Sequence, residues 1–176
     1  VGSIMLQLAK QLTNVTIIAT ASREKSTDWV RKLGADHVIN HHQPLAEQLT
    51  ALGFDSVDNI VSLTNTDQHF EQIVECITPQ GKFALIDDPA SLNVVALKRK
   101  SVSLHWEFMF TRSLFETTDM QTQHHILNQI AQLIDNGTLV TTMGEELGKI
   151  NVQNLVKAHQ LLESQTAVGK LVLAGF

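Results

Sequence analysis

A serine and an arginine follow the first buried strand that the sequence predicts. The β-branched run Val15 to Thr20 indicates a strand, and Ser22 and Arg23 come just after its carboxyl end, where open α/β sheets bind ligands. A carboxylate here would accept hydrogen bonds from the ribose hydroxyls of NAD, and none is present. A hydroxyl beside a guanidinium suits a ribose 2′-phosphate instead. A compatible alternative is that Ser22 caps the next helix and Arg23 is solvated.

Gly2 and Ser3 precede a helix whose apolar residues, from Ile4 to Leu12, have helical spacing. A helix start just ahead of a buried strand is typical of a nucleotide-binding turn, in which N–H groups face a pyrophosphate. The strand and first glycines of that turn are expected before Val1. We therefore interpret the sequence as a fragment cut inside its own cofactor motif, the alternative being a truncated helix start without function.

Two further sets of polar residues follow predicted strands. His41 comes after the strand His37 to Asn40, near the expected place of an adenine. Thr64 and Asn65 follow the strand Val57 to Leu63, where they could contact a nicotinamide ribose or could simply begin a helix capped by Thr66.

Acidic and imidazole pairs elsewhere do not predict a metal site. The adjacent Asp87 and Asp88 indicate a turn, because neighbouring side chains diverge in an extended segment. The sequence also has two pairs of consecutive histidines, His41-His42 and His124-His125. On a helix, consecutive side chains point about 100° apart and converge poorly on one ion. We predict no metal ligand and no catalytic residue in this chain.

The densest aromatic segment runs from Leu104 to Arg112. It fits an edge strand that pairs with another subunit, or the wall of a nicotinamide pocket. Core packing explains part of the segment, although not Thr111 and Arg112. Phe110, Thr111 and Arg112 are therefore kept as candidate residues for the cofactor site.

Strands and helices alternate four times before residue 91, which predicts an α/β fold: a doubly wound, Rossmann-type parallel sheet with helices on both faces. Its first strand, normally central between Val15–Thr20 and Val57–Leu63, is the one expected to be absent. Further helices are predicted at Met120 to Ile134 and Asn151 to Glu163. Strands are predicted at Ser101 to Glu107 and Gly169 to Leu173.

Composition excludes several classes of partner. The 176 residues are 18% charged and 43% hydrophobic with a net charge of −5, which gives no electrostatic reason to expect nucleic acid or a membrane surface. No stretch approaches the ~20 apolar residues of a transmembrane helix. The single Cys76 excludes an internal disulfide and fits the reducing cytoplasm.

Four segments together resemble the medium-chain dehydrogenase/reductase superfamily. They are Val1-Gly2-Ser3, Ala19-Thr20-Ala21-Ser22, Lys32 to Asn40 and Gly169 to Leu173, with Leu33-Gly34-Ala35-Asp36 the most specific part. Phe110-Thr111-Arg112 is similar to a segment of the quinone oxidoreductase branch, and the whole chain resembles zinc-type alcohol dehydrogenase-like proteins.

The resemblance implies a two-lobe enzyme, of which residues 1–176 would be the Rossmann lobe. The GroES-like lobe, with the catalytic groups and any zinc, would be absent, and residues 165–176 would form a strand returning toward it. NADPH is implied as cofactor, with Ser22, Arg23 and His41 near its 2′-phosphate and adenine. Arg23 and His41 replace the Lys and Tyr of related members. Thr64 and Asn65 would line the cofactor channel, and Phe110 to Arg112 would approach the nicotinamide.

These observations predict the cofactor lobe of an NADPH-dependent oxidoreductase that transfers a hydride to a quinone, enone or small carbonyl compound. The chain alone is expected to be inactive. The alternatives are a lobe of a zinc-dependent alcohol dehydrogenase and a non-catalytic nucleotide-binding Rossmann module. A methyltransferase-like domain is disfavoured, because such domains also tend to hold a ribose with a carboxylate. A homodimer through the edge strand 101–107 is expected.

Overall fold

A computed structural model describes residues 1–176, in which helices and strands alternate along most of the chain. The elements are α1 Gly2–Leu12, β1 Ile18–Thr20, α2 Glu24–Lys32, β2 His37–Ile39, α3 Leu45–Ala51, β3 Val57–Ser62, α4 Thr66–Cys76, β4 Ile77–Leu85, a 3₁₀ helix Val94–Lys100, β5 Ser103–Trp106, α5 Thr111–Leu114, α6 Gln121–Asp135, β6 Met143–Glu146, α7 Val152–Glu163 and β7 Lys170–Val172. None of the helices combines the length and apolar character that a membrane crossing requires.

The strands form three separate sheets. The largest has the order β3-β4-β5, and both pairs are parallel, with Ile60 opposite Phe83 and Leu85 opposite Trp106. β6 and β7 form a second parallel pair, and β1 and β2 form a third sheet. The predicted α/β class with parallel strands is confirmed. β1 and β3 belong to different sheets.

The chain divides into two compact units, the first made of Val1–Val38 and Leu127–Phe176 and the second of Ile39–Ile126. The second unit has a core between α4, β4 and the 3₁₀ helix. Its central members, Ile77, Phe83 and Leu85, are fully buried. The Lys100 ammonium closes this core at the C-terminus of α4, where it donates to the carbonyls of Val74, Glu75 and Ile77 at 2.7–2.8 Å.

The first unit has a smaller apolar core, formed by Leu6, Ile17, Ala19 and Leu33. The side-chain amide of the buried Gln7 pairs with the backbone of Val140 in both directions, donating at 3.1 Å and accepting at 2.8 Å. A side chain thereby supplies the paired hydrogen bonds that a neighbouring strand would give. This pairing attaches the segment before β6 to α1.

The Leu33-Gly34-Ala35-Asp36 motif joins α1, α2 and β1. Gly34 ends α2 with φ +111°, and a Cβ there would lie 2.9 Å from the Cβ of Lys10. The Asp36 carboxylate accepts from Lys10 Nζ at 2.5 Å and from the Ile17 N–H at 2.9 Å. These two hydrogen bonds, with the Lys10 charge, lower the pKa of Asp36.

Some element boundaries differ from the predicted ones. Proline and glycine at Pro79 and Gly81 are typical of a turn, but β4 already begins at Ile77, because Ile77 pairs with Val57. Gln80 takes a left-handed φ of +65° within this strand, and the register with β3 shifts between Val57 and Asn59. The 3₁₀ helix, α5 and β6 are not predicted from the sequence.

Candidate functional site

The start of α1 presents unpaired backbone N–H groups. The first helical hydrogen bonds run from Ile4 and Met5 to the carbonyl of Val1, so the Gly2 and Ser3 N–H groups have no helical partner. The Ser3 hydroxyl accepts from the Trp29 indole at 2.9 Å, which fixes it against α2. The two N–H groups and the Ser3 hydroxyl, which accepts from Trp29 and keeps its own proton, are hydrogen-bond donors at this helix end.

Ser22 does not cap α2, so that interpretation is wrong. The N-cap is Arg23, whose N–H donates to the Ser26 hydroxyl at 3.3 Å, while that hydroxyl donates to the Arg23 carbonyl at 2.8 Å. The Ser26 hydroxyl, which lies inside the first turn of α2, therefore makes the hydrogen bonds to the backbone of the N-cap residue. The half-buried Ser22 hydroxyl has no partner within the protein.

The Arg23 guanidinium is held by the loop between α7 and β7. It donates to the carbonyl of Thr166 at 3.1 Å and to that of Gln165 at 3.3 Å. A guanidinium has five N–H groups, so these two bonds orient it and leave other donors for a ligand. The interpretation of Arg23 as a merely solvated charge is wrong, because both terminal nitrogens are engaged.

His41 lies in a group of imidazoles in the second unit. Its ring centroid is 4.4 Å from that of His42 and 6.1 Å from that of His69 on α4. The Nδ1 atom of His69 is buried without a hydrogen-bond partner. His69 was not singled out from the sequence, because 28 positions separate it from His41 and only the fold brings them together.

Thr64 and Asn65 lie between the end of β3 and the start of α4. Asn65 is the N-cap of α4 in a left-handed conformation, φ 53° and ψ 37°, so the prediction that Thr66 is the cap is wrong. Both side chains are exposed, and neither has a partner within the protein. They are therefore free to contact a ligand.

The cap of α4 comes from the end of β4. The Asp87 carboxylate accepts from the Thr66 N–H at 2.9 Å and makes a short hydrogen bond with the Thr66 hydroxyl. That hydroxyl also lies 2.7 Å from the Ser62 hydroxyl. Asp87 was predicted as part of a turn. The one sequence signal for its contact with Thr66 is that it follows β4, just as Thr66 follows β3.

Core packing explains Leu104, which packs against the core of the second unit, although it does not explain the exposed aromatic residues that follow. Phe108, Phe110 and Trp106 are each more than half exposed, and the rings of Phe108 and Phe110 meet edge-on with centroids 5.5 Å apart. Phe110 is the N-cap of the short helix α5, which begins at Thr111.

An ion pair braces the other end of this segment. Arg112 Nε donates to the Asp119 carboxylate at 2.9 Å, and the Thr117 hydroxyl donates to the same group at 2.7 Å. The hydrogen bond from Thr117, followed by that from Arg112, lowers the pKa of Asp119. Arg112 is thus partly engaged within its own loop.

The candidate residues fall in both compact units. The first unit contains Gly2, Ser3, Ser22 and Arg23, and the second contains His41, Thr64, Asn65, Phe110, Thr111 and Arg112. Within the second unit, Thr64 and Asn65 follow β3 directly. Burial, followed by the charge of Lys170 in β7, lowers the pKa of the Val1 amino group.

The residues of this chain do not suit a zinc ion. No group of three or more His, Cys, Asp or Glu side chains is arranged to hold a metal. Cys76 is buried at the end of α4, and this burial raises the pKa of its thiol, which disfavours the thiolate that zinc requires.

The sequence model of a family described as zinc-binding dehydrogenase matches residues 33–173. A zinc-type alcohol dehydrogenase-like protein of Staphylococcus aureus strain MSSA476 is 40% identical over 176 residues, which are 98% of this chain and 52% of that protein. The chain therefore spans about half the length of the curated relatives that it matches.

Solved structures extend this likeness to three dimensions. A candidate zinc-dependent alcohol dehydrogenase from Rhizobium etli CFN 42 superposes with a TM-score of 0.94 at 49% identity, over 99% of this chain and 51% of that one. A mycobacterial protein crystallised with NADPH gives a TM-score of 0.77 at 21% identity, over 98% and 52% of the two chains.

A quinone oxidoreductase from Pseudomonas syringae pv. tomato DC3000 gives a TM-score of 0.78 at 19% identity, again over 98% of this chain and 52% of that one. At such identities the likeness shows the fold alone. The family itself is shown by the match to the family model and by the 40% identity to the S. aureus relative. The chain belongs to the zinc-binding dehydrogenase family of the medium-chain dehydrogenase/reductase superfamily, and it covers the Rossmann lobe of these proteins.

Proposed function

We propose that this chain binds NADPH as the cofactor lobe of an oxidoreductase that transfers a hydride to a quinone, enone or small carbonyl compound. The observation that carries the proposal is the pair Ser22 and Arg23 after β1. The Ser22 hydroxyl has no partner within the protein, and the Arg23 guanidinium is oriented by two carbonyls with donors left over. Residues 20–23 contain no carboxylate, and the nearest one along the chain is the exposed Glu24 in the first turn of α2.

Residues of each unit would hold their own part of the cofactor. In the first unit, the N–H groups of Gly2 and Ser3 would bind the pyrophosphate, and Ser22 and Arg23 the 2′-phosphate. In the second unit, His41 would contact the adenine end, and Thr64 and Asn65 the nicotinamide ribose. Phe110, Thr111 and Arg112 would approach the nicotinamide, which supplies the hydride when bound.

The chain itself would orient the cofactor without turning over a substrate, because it offers no residue that we assign as an acid, a base or a metal ligand.

We place the protein in the cytoplasm, since its only cysteine is a buried free thiol. We also propose that two copies associate through the edge strand at residues 101–107. The exposed Trp106 at the end of β5 supports that arrangement.

Cofactor titration tests the proposal. Fluorescence titration of the 176-residue chain should give NADPH a dissociation constant at least roughly tenfold lower than that of NADH, since a phosphate gains charge-assisted hydrogen bonds. Arg23→Gln and Ser22→Ala should each reduce that ratio. Arg31→Gln is the matched control, because Arg31 is exposed in the last turn of α2 without a side-chain partner. Equal affinities for the two cofactors in the unaltered chain would contradict the role given to Ser22 and Arg23.

A zinc-dependent alcohol dehydrogenase is the second candidate, and the name of the matching family favours it. Any zinc would be held by residues other than those of this chain, since these do not form a site. Elemental analysis of the full-length protein separates the candidates. Stoichiometric zinc that is required for turnover would favour the alcohol dehydrogenase, and turnover in its absence would favour the reductase.

A further inference from the structure

The helix α4 begins at a buried polar cluster that the proposed cofactor contacts do not use. Thr66 is completely buried, and its hydroxyl lies between the Asp87 carboxylate and the Ser62 hydroxyl. The Asp87 carboxylate also accepts a hydrogen bond from the Thr66 N–H at 2.9 Å. Ser62 ends β3 and Asp87 lies two residues beyond β4, so the cluster ties two strand ends to one helix start.

This cluster fixes the conformation of the residue before it. Asn65 has φ 53°, in the left-handed region that asparagine enters more readily than other residues with a side chain, though still at a conformational cost. Its own side chain makes no capping hydrogen bond that would offset this cost. The two hydrogen bonds from Thr66 to Asp87, together with the bond from the Gln68 N–H to the Asn65 carbonyl at 3.1 Å, hold the start of α4 in register after Asn65.

The charge of Asp87 also decides which ligand group this rim can accept. A helix N-terminus ordinarily attracts anions, because it carries a positive partial charge and free N–H groups. Here a carboxylate already occupies that position. The rim at Thr64 and Asn65 consequently offers a hydroxyl and an amide, which suit the hydroxyls of an uncharged ribose better than a phosphate.

We propose that Asp87 is a positioning residue, which acts through Thr66 to hold Thr64 and Asn65 against the nicotinamide-ribose half of the cofactor. This inference rests on the proposed function. It adds that the β4 end contributes to cofactor binding without touching the cofactor. The adenine half would be held by other residues, none of which hydrogen-bonds to Asp87, so we expect its binding to be insensitive to Asp87.

Two ligands separate this role from general stability. NADPH contains both halves, whereas adenosine 2′,5′-bisphosphate lacks the nicotinamide ribose. In the 176-residue chain, Asp87→Asn should weaken NADPH binding roughly tenfold, because one acceptor and the charge are lost, and should leave bisphosphate binding unchanged. Asp88→Asn, at the adjacent exposed position, is the matched control and should change neither.

A second pair of variants tests the same contact from the other side. Thr66→Ser keeps the hydroxyl and should bind NADPH as the unaltered chain does, while Thr66→Val keeps the volume and should show the Asp87→Asn pattern. Hydrogen exchange of the amides at 64–68 should quicken in Asp87→Asn and Thr66→Val alone. This readout reports the local conformation without any ligand.

The outcomes distinguish the two proposals. Equal weakening of both ligands, or no weakening of NADPH, in Asp87→Asn overturns the positioning role while the proposed function stands. The positioning role is also overturned if the amides at 64–68 exchange no faster in Asp87→Asn and Thr66→Val than in the unaltered chain. If the unaltered chain binds neither ligand, the proposed function fails, and this inference fails with it.

Discussion

Gly34 is a single residue whose backbone conformation and surroundings both exclude a side chain. Its φ of +111° lies in the region that favours glycine, and a Cβ would meet the Cβ and Cγ of Lys10 at 2.9 and 3.0 Å. The Lys10 Cβ cannot move aside without moving α1. This explains physically why a glycine stands in the Leu33-Gly34-Ala35-Asp36 motif on which the resemblance largely depends.

Gly34→Ala should therefore lower the free energy of unfolding more than Gly53→Ala does. The left-handed backbone costs about 1–2 kcal/mol at each position. Overpacking against Lys10 adds about 1–3 kcal/mol at Gly34 only, since nothing lies within 4 Å of a Cβ at Gly53. Urea denaturation of both variants measures the difference. Equal losses would show that the Lys10 contact relaxes freely.

The positions in the fold of some candidate residues were predictable from the sequence, namely those that come within three residues of a strand end. Ser22, Arg23, Thr64 and Asn65 each come just after the end of a strand, because a short segment leaves the chain little choice of position. The hydrogen-bond partners of these residues were not predictable. Arg23 pairs with carbonyls more than 140 positions away, and no local pattern announces such a contact.

At the scale of elements, α4 is held at both ends by side chains from other elements. Asp87 supplies its N-terminal cap, and Lys100 supplies its C-terminal one by donating to three carbonyls. A cation at this end also interacts favourably with the negative end of the helix dipole. The helix periodicity predicted α4 correctly. The sequence of α4 alone could not show that Asp87 and Lys100 supply its caps.

Lys100→Met should lower the free energy of unfolding by about 2 kcal/mol, because the carbonyls at the end of α4 lose a charged donor while the apolar stem is kept. Lys98→Met is the matched control, since Lys98 is exposed on the same 3₁₀ helix and makes no side-chain hydrogen bond. Thermal and chemical denaturation compare the two. A Lys98→Met variant that loses as much would indicate a general effect of removing charge.

At the scale of the whole molecule, the three-stranded sheet has an open edge at β5. Trp106 ends this strand with 58% of its surface exposed, and Phe108 and Phe110 follow it on exposed positions. An open edge beside aromatic side chains is the kind of surface through which two copies extend a sheet.

Trp106→Lys should accordingly shift the 176-residue chain from dimer to monomer in sedimentation velocity, because a charge at the edge opposes pairing. Val95→Lys is the control, since Val95 is also exposed but belongs to the 3₁₀ helix and not to the edge strand. A chain that is monomeric at high concentration without substitution would contradict the proposed dimer.

The sequence by itself determined the α/β class, the helices and most of the strands, because apolar periodicity and glycine or proline punctuation are local properties. It also identified the family, through motifs such as Leu33-Gly34-Ala35-Asp36. Only the tertiary structure decided how the strands divide into three sheets and that Asp87 caps α4. It alone showed that the Arg23 guanidinium is oriented by the loop before β7. Strand pairing and hydrogen bonds between distant residues depend on which segments the fold brings together, and that information is not contained in any one segment.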